Sequence, residues 1–253
     1  MRRAPTLLLC TLPSFILGCS GSTDEQDPTP GTLEAAATTS TARCDVIVAG
    51  GTTAALSAAL TAAREGVATC LLEPTDWVGG QMTAGGVPAI DYAWHTVDGL
   101  RVGDIAKQRE NLPAELYSMM EPLGAPGVCW VSKDCYEPKD LLNRSLNPAV
   151  GNARNLTVFR NTVVKRVTSR SEAGKTRIDG VVAVRRTPRA GVAWGGYDKR
   201  LSEDIADWYS TADSARYTKE IVTLSAASAA TPVVIDATEL GDVMVLAGAP
   251  YLQ

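Results

Sequence analysis

Two features of the sequence have the residue types and the spacing to hold a nucleotide. A turn, Gly50-Gly51-Thr52-Thr53-Ala54, follows a short apolar run and precedes an alanine-rich stretch. Glu73 comes about 20 residues later. Main-chain amides at such a turn, with the positive end of a helix behind them, grip a diphosphate. A carboxylate at that distance, ending the next strand, accepts hydrogen bonds from ribose hydroxyls and suits a nucleotide without a 2′-phosphate. The alternative is a solvated charge at a strand end. The usual fingerprint has three glycines, and here those places hold Gly50, Thr52 and Ala55. Gly50 permits the tight turn. Thr52 admits the phosphates if its side chain points away, and its hydroxyl is a further donor. Ala55 is an accepted substitute where helix packs on strand.

The elements that must position these residues are readable around them. Asp45 to Ala49 is a buried-type strand. A helix is expected from about Thr53 to Arg64, with Ala55, Leu56, Ala59, Leu60 and Ala63 on one face. Gly66 stops it, and "VATCLLE" forms a second strand ending at Glu73. Next comes a glycine-laden loop, "EPTDWVGGQMTAGGVPAIDYAW", whose Gly79–Gly80 pair can fold over a ligand while Gln81 and Thr83 offer side-chain hydrogen bonds. A plain connector is the other reading. "NLTVFRNTVVKRVTSR" and "RIDGVVAVRR" alternate with period two and suggest hairpins, with Gly180 near a turn. "TPVVIDATELGD" returns to the parallel sheet before a helix-like "DVMVLAGAP". Between them, residues 187–220 form a polar insertion carrying Trp194, Tyr197, Trp208 and Tyr209. It reads equally as a substrate-facing lid or as local packing.

The fingerprint alone does not tell one dinucleotide from another. Four segments together resemble the FAD-dependent oxidoreductases with a GG-T-P-A-G type turn, relatives of the two-dinucleotide-binding-domain flavoproteins. These are "GGTTAA" in its βαβ unit, "WVGGQMTAGGVP", "CWVSKDCYEPKDLL" and "VVIDATELGDVMVLAGAPY". They cover most of the chain from Cys44 to Tyr251; Thr53 and Ala55 stand where the family tends to have Pro and Gly. The resemblance implies an α/β, Rossmann-like FAD-binding parallel sheet with a β-rich insertion. It implies FAD contacts at Gly50, Gly51, Thr52, Thr53, Ala54 and Glu73, and at Gly79, Gly80, Gln81 and Thr83 in the loop. Val163 and Val164 would lie beside the adenine, or serve only as sheet core. Asp236, Ala237, Thr238, Gly241 and Asp242 would lie near the ribityl and phosphate groups, Asp242 accepting ribityl hydroxyls or capping the next helix. FAD-dependent oxidoreduction of a small molecule, with a separate electron acceptor, is the implied activity. An NAD-binding protein, or a non-catalytic surface lipoprotein that keeps the nucleotide-binding fold, are the alternatives. The sequence presents no convincing acid–base pair and no metal cluster, so no catalytic residue is named. The family's members continue beyond the position of Gln253, so residues 44–253 are expected to be an incomplete FAD-binding domain.

Composition agrees with a globular core: of 253 residues 45% are apolar and 21% charged. A net charge of −4 gives no reason to expect nucleic acid or an anionic membrane surface as partner. No run of about 18 apolar residues is present to span a bilayer. The first nineteen residues instead have the layout of a secretory signal, with Arg2 and Arg3 before an apolar run that ends in Ile16-Leu17-Gly18-Cys19. That tetrapeptide resembles the bacterial lipobox, which implies lipid on Cys19, export, and a place in the cell envelope facing the periplasm or cell surface. A plain signal peptide is the alternative, and the arginine pair raises the twin-arginine route. Residues 20–43 are poor in large apolar groups and are expected to be a flexible tether, the membrane being reached through the lipid alone. Cys44 and Cys70 are expected to pack in the core. Cys129 and Cys135, separated by five residues, suit a disulfide in an exported protein or, less simply, a redox pair. His95, the only histidine, reads as structural or exposed more readily than as catalytic.

Overall fold

In the computed structural model the residues described are 38–88, 95–97, 100–102 and 136–250. The strand β2, Val46–Ala49, sits at the centre of a four-stranded sheet. It pairs in parallel with β10, Val233–Asp236, on one side and with β3, Thr69–Leu72, on the other. β3 in turn pairs in parallel with β6, Leu156–Phe159. Alternation along β2 and β3 divides their side chains between two cores. Val48 and Leu71 face α1, Thr53–Arg64, and meet its Leu56 and Leu60. Ile47, Ala49, Cys70 and Leu72 face a second sheet. Both faces are covered, so these strands are continuous apolar runs rather than alternating ones. Each fully buried leucine here contributes roughly 1.5–3 kcal/mol of burial free energy.

The second sheet has the order β1-β9-β8-β7, with β1 at Thr38–Arg43. β7, Thr162–Glu172, and β8, Lys175–Pro188, form a hairpin, and β9, Tyr217–Ser225, pairs antiparallel with β8. The hairpin turn is Ala173–Gly174, both at positive φ (50° and 75°), with Glu172 opposite Lys175. Such a two-residue turn matches the twist of the strands it joins. Val164, Val167, Val181, Ala183, Val222 and Leu224 pack this sheet against the parallel one. On the helical side, α2, Pro138–Leu141, runs through a widened turn at Leu142–Leu146 into α3, Asn147–Asn152. The widening directly precedes Pro148, which has no amide for the carbonyl of Arg144. A short pair, β4 (His95–Val97) and β5 (Leu100–Val102), is also described.

The α/β fold class, the βαβ unit, the bounds of α1 and its buried face are as expected from the sequence. Three expectations are corrected. Thr38–Arg43, placed in the tether, is the strand β1, which pairs in parallel with β9; its β-branched threonines suit a strand once a partner supplies hydrogen bonds. Residues 20–37 of the tether lie outside the described residues. Gly180 is not at a turn but inside β8, where a Cβ would collide with the carbonyl of Leu224 on β9. The stretch 156–159 forms no hairpin with β7 and joins the parallel sheet instead. Cys44 and Cys70 are buried as expected, and the structure also joins them in a disulfide, Cα–Cα 5.8 Å, inside the usual span for one. Cys19, Cys129 and Cys135 lie outside the described residues.

Candidate functional site

At the carboxyl ends of β2, β3 and β10 lies a cleft of about 700 Å³. Its floor is the turn between β2 and α1. Gly50 (φ +114°) donates its amide to Leu72 O at 3.1 Å, and a Cβ there would fall into the carbonyl of Ala237. Gly51 lies so close to the Glu73 carboxylate that a Cβ would overlap it. Thr52 caps α1: its Oγ1 accepts from Ala55 N and donates to Ala237 O, both at 3.0 Å. Its hydroxyl is therefore committed inside the protein and is not the phosphate donor considered from the sequence. The same bonds explain why threonine replaces glycine, since it fixes the helix start and ties it to the end of β10. Thr53 and Ala54 begin the helix, where amides have no intrahelical acceptor.

Glu73 is 1% exposed and lines the cleft. Its Oε1 accepts from Thr75 N (2.9 Å) and Thr75 Oγ1 (2.8 Å). Its Oε2 is buried without a partner. Burial pushes this carboxyl up to about 7, against the two Thr75 hydrogen bonds and the Arg160 charge that favour ionisation. An orphaned carboxylate oxygen beside a glycine turn fits a ligand that brings hydroxyl donors.

The Gly79–Gly80 loop lies across the turn: a Cβ on Gly80 would come 2.7 Å from Gly51 O. Thr53 Oγ1 donates to Gly79 O at 3.2 Å. Gly80 and Gln81 line the cleft. Thr83 does not, because its hydroxyl is buried and donates to Val78 O at 2.6 Å, holding the loop's own shape. On the far wall stand Thr238 and Asp242, the latter in the first turn of α5, Asp242–Leu246. Gly241 (φ +74°) enters that helix and Ala237 supplies the carbonyl taken by Thr52, neither lining the cleft. Asp242 Oδ2 accepts from Tyr209 OH at 2.9 Å. Asp236 turns away, accepting from Thr238 Oγ1 (2.7 Å) and Met244 N (2.9 Å). Val163 and Val164 are buried and also line the cleft.

The structure thus brings Gly50, Gly51, Thr52, Glu73, Gly80, Gln81, Val164, Thr238 and Asp242 around one space. Thr53, Ala54, Gly79, Thr83, Ala237 and Gly241 stand behind them. Among the described residues no group of His, Cys, Asp and Glu is arranged to hold a metal ion. The contribution of the insertion was left open by the sequence. Tyr197, Leu201, Ile205, Trp208 and Tyr209, four of them on the helix α4 (Leu201–Tyr209), form a wall of the cleft. The aromatic content of residues 187–220 was the available signal.

A family described as FAD dependent oxidoreductase matches residues 45–193. The chain belongs to that family. FAD is the cofactor of such oxidoreductases, and the orphaned Glu73 oxygen, the glycine turn and the helix start are the features an FAD-dependent oxidoreductase needs at its adenosine diphosphate half. Among solved structures, Thermovibrio ammonificans THI4 is similar at 17% identity, with a TM-score of 0.37, over 56% of this chain and 47% of that one. E. coli quinol fumarate reductase FrdA is similar at 14% identity, TM-score 0.40, over 78% of this chain and 33% of that one. L-proline dehydrogenase from P. horikoshii is similar at 14% identity, TM-score 0.33, over 79% and 23%. The chain spans less than half the length of each of these structures. No curated protein matches the sequence.

Proposed function

We propose that this chain binds FAD in the cleft and serves an oxidoreductase that transfers electrons between a small molecule and a separate acceptor. The observation that carries the reading is Glu73 Oε2, buried and unpartnered at the end of β3 beside the glycine turn. Glu73 accepts hydrogen bonds from the ribose hydroxyls. The amides of Gly51 and Thr52, with the N-terminal end of α1 at Thr53 and Ala54 behind them, hold the diphosphate. Gly80 and Gln81 close over it, and Thr238 and Asp242 line the path toward the flavin. When bound, FAD supplies the hydride and electron chemistry, and the residues here orient it and exclude water.

The N-terminal segment is proposed to export the chain and leave it attached by lipid on Cys19, facing the periplasm or cell surface. The residues Ile16 to Cys19 support this. Among the described residues no helix is long and apolar enough to cross a membrane.

Two experiments test these proposals. The purified chain is expected to show flavin bands near about 370 and 450 nm, or to acquire them with added FAD, and NAD⁺ is expected not to displace the flavin. A colourless protein that takes up no FAD overturns the cofactor site. Mass spectrometry is expected to find a lipid on Cys19 that Cys19→Ser removes, moving the protein from the membrane to the soluble fraction; an unmodified Cys19 refutes the anchor.

A further inference from the structure

The helix α4 and the turn before it lie beyond the last residue matched by the family, yet they build one side of the cleft. Leu201, Ile205, Trp208 and Tyr209 stand at i, i+4, i+7 and i+8, a single stripe of a helix, and all four line the cleft. Leu201 and Ile205 remain 52% and 40% exposed. The helix is held firmly despite that apolar, exposed stripe. The Arg186 guanidinium, buried on β8, lies 3.4 Å from the centroid of the Trp208 ring and donates to Pro74 O at 2.6 Å. Asp204 Oδ2 accepts from Trp208 Nε1 (3.1 Å) and Tyr217 OH (2.8 Å). Lys219 Nζ, buried, donates to Asp207 Oδ1 and Ser210 O, both at 3.0 Å. Tyr209 OH reaches Asp242 at the opposite wall. Before the helix, Tyr197 OH accepts from Asp76 N (2.9 Å) and donates to Asn161 Oδ1 (2.8 Å).

These anchors converge on the segment that follows Glu73. Pro74 and Asp76 are each tied to the insertion side, and Thr162 donates its amide to Glu73 O at 2.9 Å, placing β7 and its Val164 at the same spot. A base attached to a ribose held by Glu73 must lie on this side of the cleft, away from the diphosphate turn. A purine is flat and largely apolar on its faces, and it stacks on aliphatic and aromatic walls.

We infer that α4 is the adenine wall of the site, with Leu201, Ile205 and Tyr209 contacting the base opposite Val164, Trp208 forming the deeper part of the same wall, and Arg186 acting as a positioning residue behind it. The inference rests on the reading of Glu73 as the ribose ligand. It assigns to residues outside the family match a share in dinucleotide affinity, and it makes the stripe on α4 a nucleotide-contacting surface rather than a substrate-facing lid.

Calorimetric titration of the full chain with FAD and with ADP tests this. Leu201→Ser and Ile205→Asp alter exposed side chains and are expected to weaken both ligands tenfold or more, with circular dichroism unchanged. A second readout needs no variant. ADP, which carries no flavin, is expected to quench the tryptophan emission of the unmodified chain, and, since Trp77 and Trp194 also line the cleft, the share of Trp208 is read as the part of the quench that Trp208→Phe removes. If the unmodified chain binds neither FAD nor ADP, the cofactor reading itself fails. If it binds both, while Leu201→Ser and Ile205→Asp stay within twofold and Trp208→Phe leaves the ADP quench unchanged, the cofactor reading stands and the adenine wall is overturned.

Discussion

Changing the charge of Glu73 is expected to move stability and cofactor affinity in opposite directions. Without cofactor, burial raises this carboxyl from an ordinary 4.5 to about 7. The folded value lies above the unfolded one, so the group's contribution to stability is fully present below about 4.5 and is lost as pH rises through about 7. The shift corresponds to about 3 kcal/mol, an order-of-magnitude figure for a buried group. At pH 8 the cofactor-free chain therefore carries a buried anion with one unpartnered oxygen. Ribose hydroxyls donating to Oε2 favour the ionised form, so FAD binding releases a proton below pH 7. Affinity is expected to fall by up to about tenfold per pH unit as pH drops below 7. Glu73→Gln removes the charge at nearly constant volume. It is expected to raise the melting temperature of the cofactor-free chain at pH 8, yet weaken FAD there by about 1.5–3 kcal/mol, the worth of hydrogen bonds to a charged acceptor. Its affinity is expected to stay flat from pH 6 to 8. Titration calorimetry and thermal melts across that range read all three quantities. A pH-independent affinity in the unmodified chain, or a Gln variant that binds as tightly, refutes the reasoning.

Three further outcomes are expected. Gly51→Ala drives a Cβ into the Glu73 carboxylate; thermal melts should show a loss of roughly 1–3 kcal/mol, and FAD titration should show affinity lost as the carboxylate is displaced. Tyr209→Phe removes the donor to Asp242 and should cost about 1 kcal/mol in denaturant unfolding, since the phenol, held protonated by burial and by that carboxylate, is the donor of the pair. Reducing Cys44–Cys70, which closes a loop across 26 positions, should lower stability by about 3 kcal/mol in the chain-entropy view; non-reducing peptide mapping should recover the linked pair, and two free thiols there would contradict the bond.

The parallel unit was legible in the sequence because its signals are local. The unbroken apolar run of Val46–Ala49, helical spacing from Ala55 to Ala63, and the position of Glu73 each follow from a few neighbouring residues. Features that depend on distant partners were not legible. Thr38–Arg43 has the composition of a tether and becomes a strand only because β9 lies beside it, 182 positions later at Thr38 opposite Glu220. Gly180 looks like turn chemistry, but its small size serves close strand approach to Leu224. Thr52 and Thr83 offered hydroxyls to a ligand, yet nearby carbonyls, Ala237 O and Val78 O, take them. The wall built by α4 was hidden for the same reason: its aromatic residues announce packing, and only the folded chain shows that they stand beside Glu73.

A crystal structure of the chain with FAD measures the position of the adenosine ribose relative to Glu73. Both ribose hydroxyls are expected within about 3 Å of the carboxylate, at least one of them on Oε2, with the diphosphate at the start of α1. Density for FAD elsewhere, or Oε2 satisfied by a protein side chain while the cleft rejects saturating FAD, would contradict it.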